Sequence, residues 1–486
     1  MANAINPILR LYEDTYNDEG YSSVTHLAKG LLTEGTTLSP IVTHLYYNSD
    51  EYGKKNFPIM YATEGMNKIK SIESEDLSYK VSIIGKPKKS STVAETLYTA
   101  SDNIGLGGTT FEIPFIDRQF QKDQVLYSKN RDIQVQVKID PVKRGSFFYY
   151  TVELMTESKS TVCPLSFVTA GAKWGGGVRK VGIEDSVGGE HRSYAPGKMM
   201  NQISLVRDTY KIKGNVENKI MVVEIKTEQG VKKYWCEWEL YLKGLLWKEA
   251  CENDLWYSRY NRDSLGEILN RDIDSNAVTP SGAGIVQQIP NEDSYSFMTT
   301  NKFTQIVRDA FFGASGASKK KIVLYTGTGG MEEAHNAMNT AAQAYTLVDS
   351  KFITGEGDDL KFGAYFRTYR HHDGHTIEIR YNPIFDDGIM ADVSDKHPNT
   401  GLPLESYSMY FVDESEYEGE SNLYYVNEKG RENREFVVPG ASVPKGYGDT
   451  PFRSSSRDGS SVEWMKTIGV AIRRPTNCFK VFCNLS

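Results

Sequence analysis

The sequence predicts an α+β fold, and three observations carry that expectation. Ile133, Val135, Val137 and Ile139 alternate with polar residues, the period-two pattern of a half-buried strand. Residues 231–257 keep a broad apolar face at helical spacing. After residue 300, short strand and helix patterns mix in one stretch of chain.

Taken in order, the first 85 residues are only weakly periodic. Residues 27–32 read as the end of a short helix and residues 36–47 as extended chain, with no compact domain between them. Such a segment is expected to lie across something else. The strand centred on Val135 is followed by a turn at residues 141–145 and a second strand over 147–155, so the two read as a long hairpin.

Between Gly171 and Gly197 the chain carries eight glycines and few large apolar residues. That composition cannot form a core of its own, and it is too long for an ordinary hairpin loop. It reads as an excursion that leaves a domain and returns at the strand-like residues 201–206 and 218–226.

Residues 231–257 form the strongest predicted helix. Val231, Tyr234, Trp235, Trp238, Tyr241, Leu242, Leu245 and Leu246 share a face, with Lys232, Lys233, Glu237, Lys243 and Lys248 away from it. Glu249 falls on the apolar side and Trp247 off it, which suggests that both faces are covered. A shorter helix is capped at Thr300 or Asn301, keeps Phe303, Ile306, Val307, Ala310 and Phe311 inward, and stops at Gly313. Residues 321–325 read as a buried strand and 331–345 as an alanine-rich helix. Residues 362–381 read as a hairpin turning at Asp373-Gly374, and the tail adds strands near 468–472 and 479–482. No internal repeat is found.

Composition bounds the function. At roughly 150 residues per domain, 486 residues suggest about three modules. A net charge of −7 excludes a general nucleic-acid binder. The basic runs at 86–89 and 319–321, and the acidic run at 413–420, read as solvated loops. Five cysteines at 163, 236, 251, 478 and 483 include no CxxC pair and fit free thiols in a reducing cytosol. The N-terminus lacks the charged start and apolar core of a signal peptide, and no apolar run approaches the ~18 residues of a membrane span.

Three groupings invite a chemical reading. Tyr325-Thr-Gly-Thr-Gly-Gly-Met331 joins a strand to a helix, where a glycine loop can hold a phosphate. It lacks the Gly-Lys-Ser/Thr of a P-loop and the third glycine of a dinucleotide fingerprint, so the match is poor and tight helix–strand packing is the favoured explanation of the glycines. His371, His372 and His375 surround a predicted hairpin tip, without an evident fourth ligand. No cysteine is paired locally with a base, and no carboxylate spacing marks a general-acid pair. No catalytic, cofactor-binding or metal-binding residue is therefore assigned, and no cofactor is expected.

The order of elements resembles HK97-like major capsid proteins of tailed bacteriophages, and the sequence looks like those of crAss-like phages infecting gut Bacteroidales. The likeness is carried by Asp123-Gln-Val-Leu126 through the hairpin to Tyr149-Tyr-Thr-Val-Glu-Leu154, then by Asn201-Gln-Ile-Ser-Leu-Val-Arg207. It continues in Ser281-Gly-Ala-Gly-Ile-Val-Gln-Gln-Ile289 and Val323-Leu-Tyr-Thr-Gly-Thr-Gly-Gly-Met331. It covers roughly residues 85–480. The resemblance implies an N-terminal arm at 1–85, peripheral-domain strands at 86–156 and an extended loop (E-loop) at 157–215. It implies a peripheral domain with a spine helix at 216–274, an axial domain at 275–465 and C-terminal strands returning to the peripheral domain at 466–486. The expected function is a non-enzymatic coat subunit that self-assembles as hexamers and pentamers into an icosahedral head enclosing double-stranded DNA. Its expected location is the virion, assembled in the host bacterial cytoplasm. Decoration proteins, head fibres and portal are the expected partners, with no sequence-specific DNA binding and no membrane. Two rival readings stand beside it: a nucleotide-binding enzyme built on 325–345, and a tail or baseplate component.

Overall fold

The described residues between 82 and 198 close on themselves as one unit, while those of 56–81 and 199–484 form another. The computed structural model describes residues 56–73, 76–83, 90–184, 196–214, 220–227, 230–311, 317–340, 368–370, 376–387, 395–441 and 454–484. Among these the protein is mixed α+β, with more strand than helix. The expected elements at 27–32 and 36–47, and the Asp373-Gly374 tip, lie outside the described residues.

The larger unit is built on a six-stranded sheet in the order Asn291–Tyr295, Phe479–Cys483, Met409–Asp413, Lys321–Thr326, Thr376–Tyr381, Thr368–Arg370. Lys321–Thr326 pairs parallel with Thr376–Tyr381 and antiparallel with Met409–Asp413. Its side chains alternate between two cores. Ile322 and Leu324 meet Phe303, Ile306, Val307 and Phe311 of helix Thr300–Phe311, together with Ala334, Ala337 and Met338 of helix Thr328–Thr340. Val323 and Tyr325 face the other way, toward Leu255, Trp256 and Phe385. A strand covered on both faces reads as a continuous apolar run, which is why Ile322–Tyr325 carries no alternation in sequence.

The predicted long helix, here α1, spans Trp235–Tyr257 and so starts four residues later than expected. Gly230–Tyr234 is instead a strand, paired with Ile220–Thr227. The side chains of Trp235, Cys236 and Trp238 lie outside the described residues. Further along, Leu245, Cys251, Leu255 and Trp256 are buried, whereas Leu246 is 46% exposed. Trp247, expected off the apolar face, packs between two cores, one of them formed by Tyr210, Ile212, Val462 and Trp464. The second of these cores lies on the three-stranded sheet of Ser204–Ile212, Ser460–Ile468 and Asn433–Pro439. The helix is thus covered on more than one side, and among its described side chains Leu246 falls off the apolar face and Trp247 on it, the reverse of the sequence assignment. The tail strands divide: Val470–Ile472 pairs with Leu423–Glu428, while Phe479–Cys483 enters the six-stranded sheet.

The smaller unit is a seven-stranded sheet. Its main path runs Ser90–Thr92, Lys173–Arg179, Gln124–Ser128, Gln134–Val137, Phe147–Leu154, Thr110–Phe115, and Val142–Arg144 adds to Phe147–Leu154. A bridge between Val93 and Phe115 joins the two ends of the path, so the sheet curls back on itself and removes its edges. The predicted hairpin is present as Gln134–Val137 and Phe147–Leu154. Phe115, Phe120 and Tyr150 stack edge-to-face in the core, with centroids 5.1–5.8 Å apart.

The first part of the glycine-rich stretch differs from expectation. Lys173–Arg179 is an internal strand, and Trp174 is wholly buried in the core of this unit. Its glycines allow close approach: a Cβ on Gly177 would lie 2.2 Å from the Tyr127 ring.

Candidate assembly surfaces

The chain entering the larger unit is fastened by one buried carboxylate. Pro58–Met60 is a short helical turn, and its N-terminal amides have no partner of their own. Glu252 on α1 supplies it, accepting from the N–H of Ile59 and of Met60, each at 2.8 Å. Burial pushes the Glu252 carboxyl up to about 7, against the opposing pull of those two hydrogen bonds. Nearby, the Lys466 ammonium holds Glu64 at 2.6 Å and lies over the Tyr425 ring. Ile69–Ile72 then pairs parallel with Leu423–Glu428. The last third of the expected arm is therefore an integral part of this unit. Glu252 was not singled out in the sequence, although it stands seven residues, two helical turns, beyond buried Leu245 on the same face.

The acidic run at 413–420 is only partly a solvated loop. Asp413 and Glu414 are buried. Asp413 accepts from the hydroxyl of Tyr417 and the amide of Asn477. Glu414 pairs with Arg380 at 3.1 Å, and Arg380 and Lys321 both hold Glu378 at 2.7 Å. Burial would raise the Glu378 carboxyl, but these cationic hydrogen bonds prevail and hold it down at about 2. Lys321, read as part of a solvated basic run, is thus committed to a sheet ladder. The run at 86–89 lies outside the described residues.

The glycine turn at 325–331 is occupied by the protein itself. The Asp386 carboxylate accepts from the Thr328 N–H at 2.9 Å and from its hydroxyl at 2.5 Å, and Ser406 Oγ accepts from the Gly329 N–H at 2.8 Å. An acceptor already sits where a bound phosphate would. A Cβ on Gly330 would fall 1.9 Å from Thr326 Oγ1, and one on Gly329 2.6 Å from the Tyr407 ring. The glycines serve close packing of helix on strand.

The remaining candidates are dispersed. His371, His372 and His375 lie outside the described residues. Among the described residues no group of three or more His, Cys, Asp or Glu could hold a metal. Cys163, Cys251 and Cys478 are buried free thiols in different places, and burial pushes each up to about 12. Among the described residues, no helix is long and apolar enough to cross a membrane.

What the surface offers instead is apolar. In the larger unit Leu265, Leu269, Ile273 and Phe297 stand out into solvent; in the smaller, Ile139, Val142, Val178 and Ile183 do. Where such residues cluster into one patch they mark an interaction surface; singly they are ordinary.

The chain is similar to the major capsid protein of Bacteroides phage crAss001, 21% identical over 442 residues, which is 83% of this chain and 85% of that protein. Among solved structures it is similar to the capsid of cyanophage P-SCSP1u (8% identity, 64% of this chain and 82% of that one, TM-score 0.31). It is also similar to the capsid of an empty GTA particle (7% identity, 95% and 98%, TM-score 0.35). The class, that of phage coat proteins, is given by the family model. The chain belongs to the Crassvirus major capsid protein family, whose model matches residues 15–486. Its function is that of the major capsid protein of a crAss-like phage, a structural component of the virion that self-assembles into capsid oligomers.

Proposed function

We propose that the subunit forms an icosahedral head around double-stranded DNA, as hexamers and pentamers of the HK97-like kind, and that its role is wholly structural. One observation carries this reading. The chain leaves the larger unit at residue 81, builds a second unit with its own core over 82–198, and returns at 199. A lone soluble subunit gains little from such an excursion. A shell subunit needs it, because separate bodies joined by short crossings can meet neighbours at slightly different angles while each keeps its core intact. Burial at the resulting seams offsets the entropy of ordering them.

On this reading the part played by an E-loop belongs to residues 82–198 as a whole, rather than to 157–215. The spine helix is α1, and the peripheral domain holds the sheet of Ser204–Ile212, Ser460–Ile468 and Asn433–Pro439. The axial domain is centred on the six-stranded sheet. The net charge of −7 suits a wall that encloses DNA without gripping it. Portal, head fibres and decoration proteins are the partners such a shell requires. Electron microscopy of particles assembled from the full-length chain tests the reading. Closed icosahedral shells are expected; tubes, plates or unassembled subunits under all conditions overturn it.

A further inference from the structure

The segment between α1 and residue 284 is folded without a core of its own. It makes two successive tight loops, closed by bridges between Arg262 and Ile268 and between Arg271 and Val278. An aspartate fixes each turn. Asp263 Oδ1 accepts from the N–H of Leu265 at 2.9 Å and of Glu267 at 2.8 Å, and Gly266 takes a φ of +91°. Asp272 Oδ2 accepts from the N–H of Ser275 at 3.1 Å, and Asn276 takes a φ of +53°. The base is held as firmly. Arg262 reaches Asp76 at 2.7 Å and Gln202 at 3.0 Å. Gln202, wholly buried, in turn donates to Asn261 and to the carbonyl of Ser281.

This scaffold presents large aliphatic side chains to solvent. Leu265 and Ile273, near the two tips, are 87% and 97% exposed, and Leu269 between them is 78% exposed. Fixing the backbone that carries an apolar side chain before contact lowers the entropic cost of binding.

From this geometry we infer that the paired turns at 262–278 are an intersubunit contact, and that their partner is a second copy of this chain in the shell. The inference rests on the shell reading above. The charge balance does not suit a polyanionic partner. Residues 259–278 carry Arg259, Arg262 and Arg271 against Asp263, Glu267, Asp272 and Asp274, so there is no basic field for nucleic acid or an anionic membrane. The size points to an assembly. The three aliphatic side chains expose on the order of 500 Å² between them, within the ~300–600 Å² of the largest apolar patch on a typical monomer, which is often functional. That area falls short of the ~800 Å² per partner that a free-standing complex needs. A contact of that size holds when other seams of a shell reinforce it, so no stable dimer is expected in solution.

Two experiments on the full-length chain test this. The double variant Leu265→Asp/Ile273→Asp should melt at the wild-type midpoint and stay soluble, while its yield of closed shells falls at least tenfold under conditions where the wild type assembles. Wild-type shell yield from the double variant overturns the inference and leaves the shell reading standing. Failure of the wild type itself to form shells withdraws both. Independently, a photo-crosslinking benzoylphenylalanine at position 265 in otherwise wild-type shells should join two copies of this chain. Adducts confined to its own chain, or made only to a different protein, overturn the assignment.

Discussion

The carboxylate of Glu252 and the backbone N–H of Ile59 meet at 2.8 Å across 193 residues of chain. This contact, with its twin at Met60, fixes where the N-terminal segment joins α1. Its consequence is a pH dependence with a definite sign. The folded carboxyl titrates at about 7, above its ordinary 4.5. Below 4.5 both states hold the proton and nothing changes. Between 4.5 and 7 the unfolded chain releases it while the folded one keeps it, so this group's contribution to stability falls as pH rises, by roughly 3 kcal/mol in all. Melting curves of wild type and Glu252→Gln from pH 4.5 to 8 check this. The difference should shift in favour of the variant with rising pH; a constant offset contradicts it. Glu252→Ala should be worse than either at low pH, because two buried N–H groups lose their acceptor at about 1–3 kcal/mol each.

A second expectation concerns the face of α1. Trp256 is wholly buried, with its ring 5.4 Å from Tyr325 and 5.0 Å from Phe385. Trp256→Ala should cost about 3–5 kcal/mol in a thermal or urea melt of the unassembled subunit. Leu246→Ala, on the exposed side, should stay within about 0.5 kcal/mol of wild type. Equal costs at the two positions would mean that the helix is rotated from the orientation described here.

These two residues also show what could be read in advance. The hairpin ending at Leu154 and the helix Thr300–Phe311 follow from local periodicity, because each buries a regular face, whereas the strand at Lys321–Thr326 follows from its short continuous apolar run. The start of α1 does not. Gly230–Tyr234 carries apolar residues that suit helix and strand alike, and pairing with Ile220–Thr227 decides the outcome. Lys173–Arg179 looked core-poor because three of its residues are glycines. Its single tryptophan and its two neighbouring strands, Ser90–Thr92 and Gln124–Ser128, make it internal. Glu252 was hidden for a different reason: a buried carboxylate is costly unless it meets donors, and its donors lie far away in sequence.

Asp386 supports the third expectation. It satisfies the N-terminus of the Thr328–Thr340 helix, so Asp386→Ala should cost about 1–2 kcal/mol, the usual loss of a helix-capping oxygen. Denaturant melts read the loss, and titration with ATP reads the rival nucleotide-binding function. Saturable micromolar ATP binding by the wild type, abolished by Gly330→Ala without loss of folding, would restore that rival.

The larger unit is expected to fold by itself, with residues 82–198 serving assembly. Replacing residues 84–196 with a short Gly-Ser linker tests it, since Ser78–Ile83 and Gly197–Gln202 already pair as a two-stranded sheet. The shortened chain should remain soluble and melt cooperatively, while electron microscopy finds no closed shells. Closed shells of wild-type diameter from the shortened chain would contradict the account.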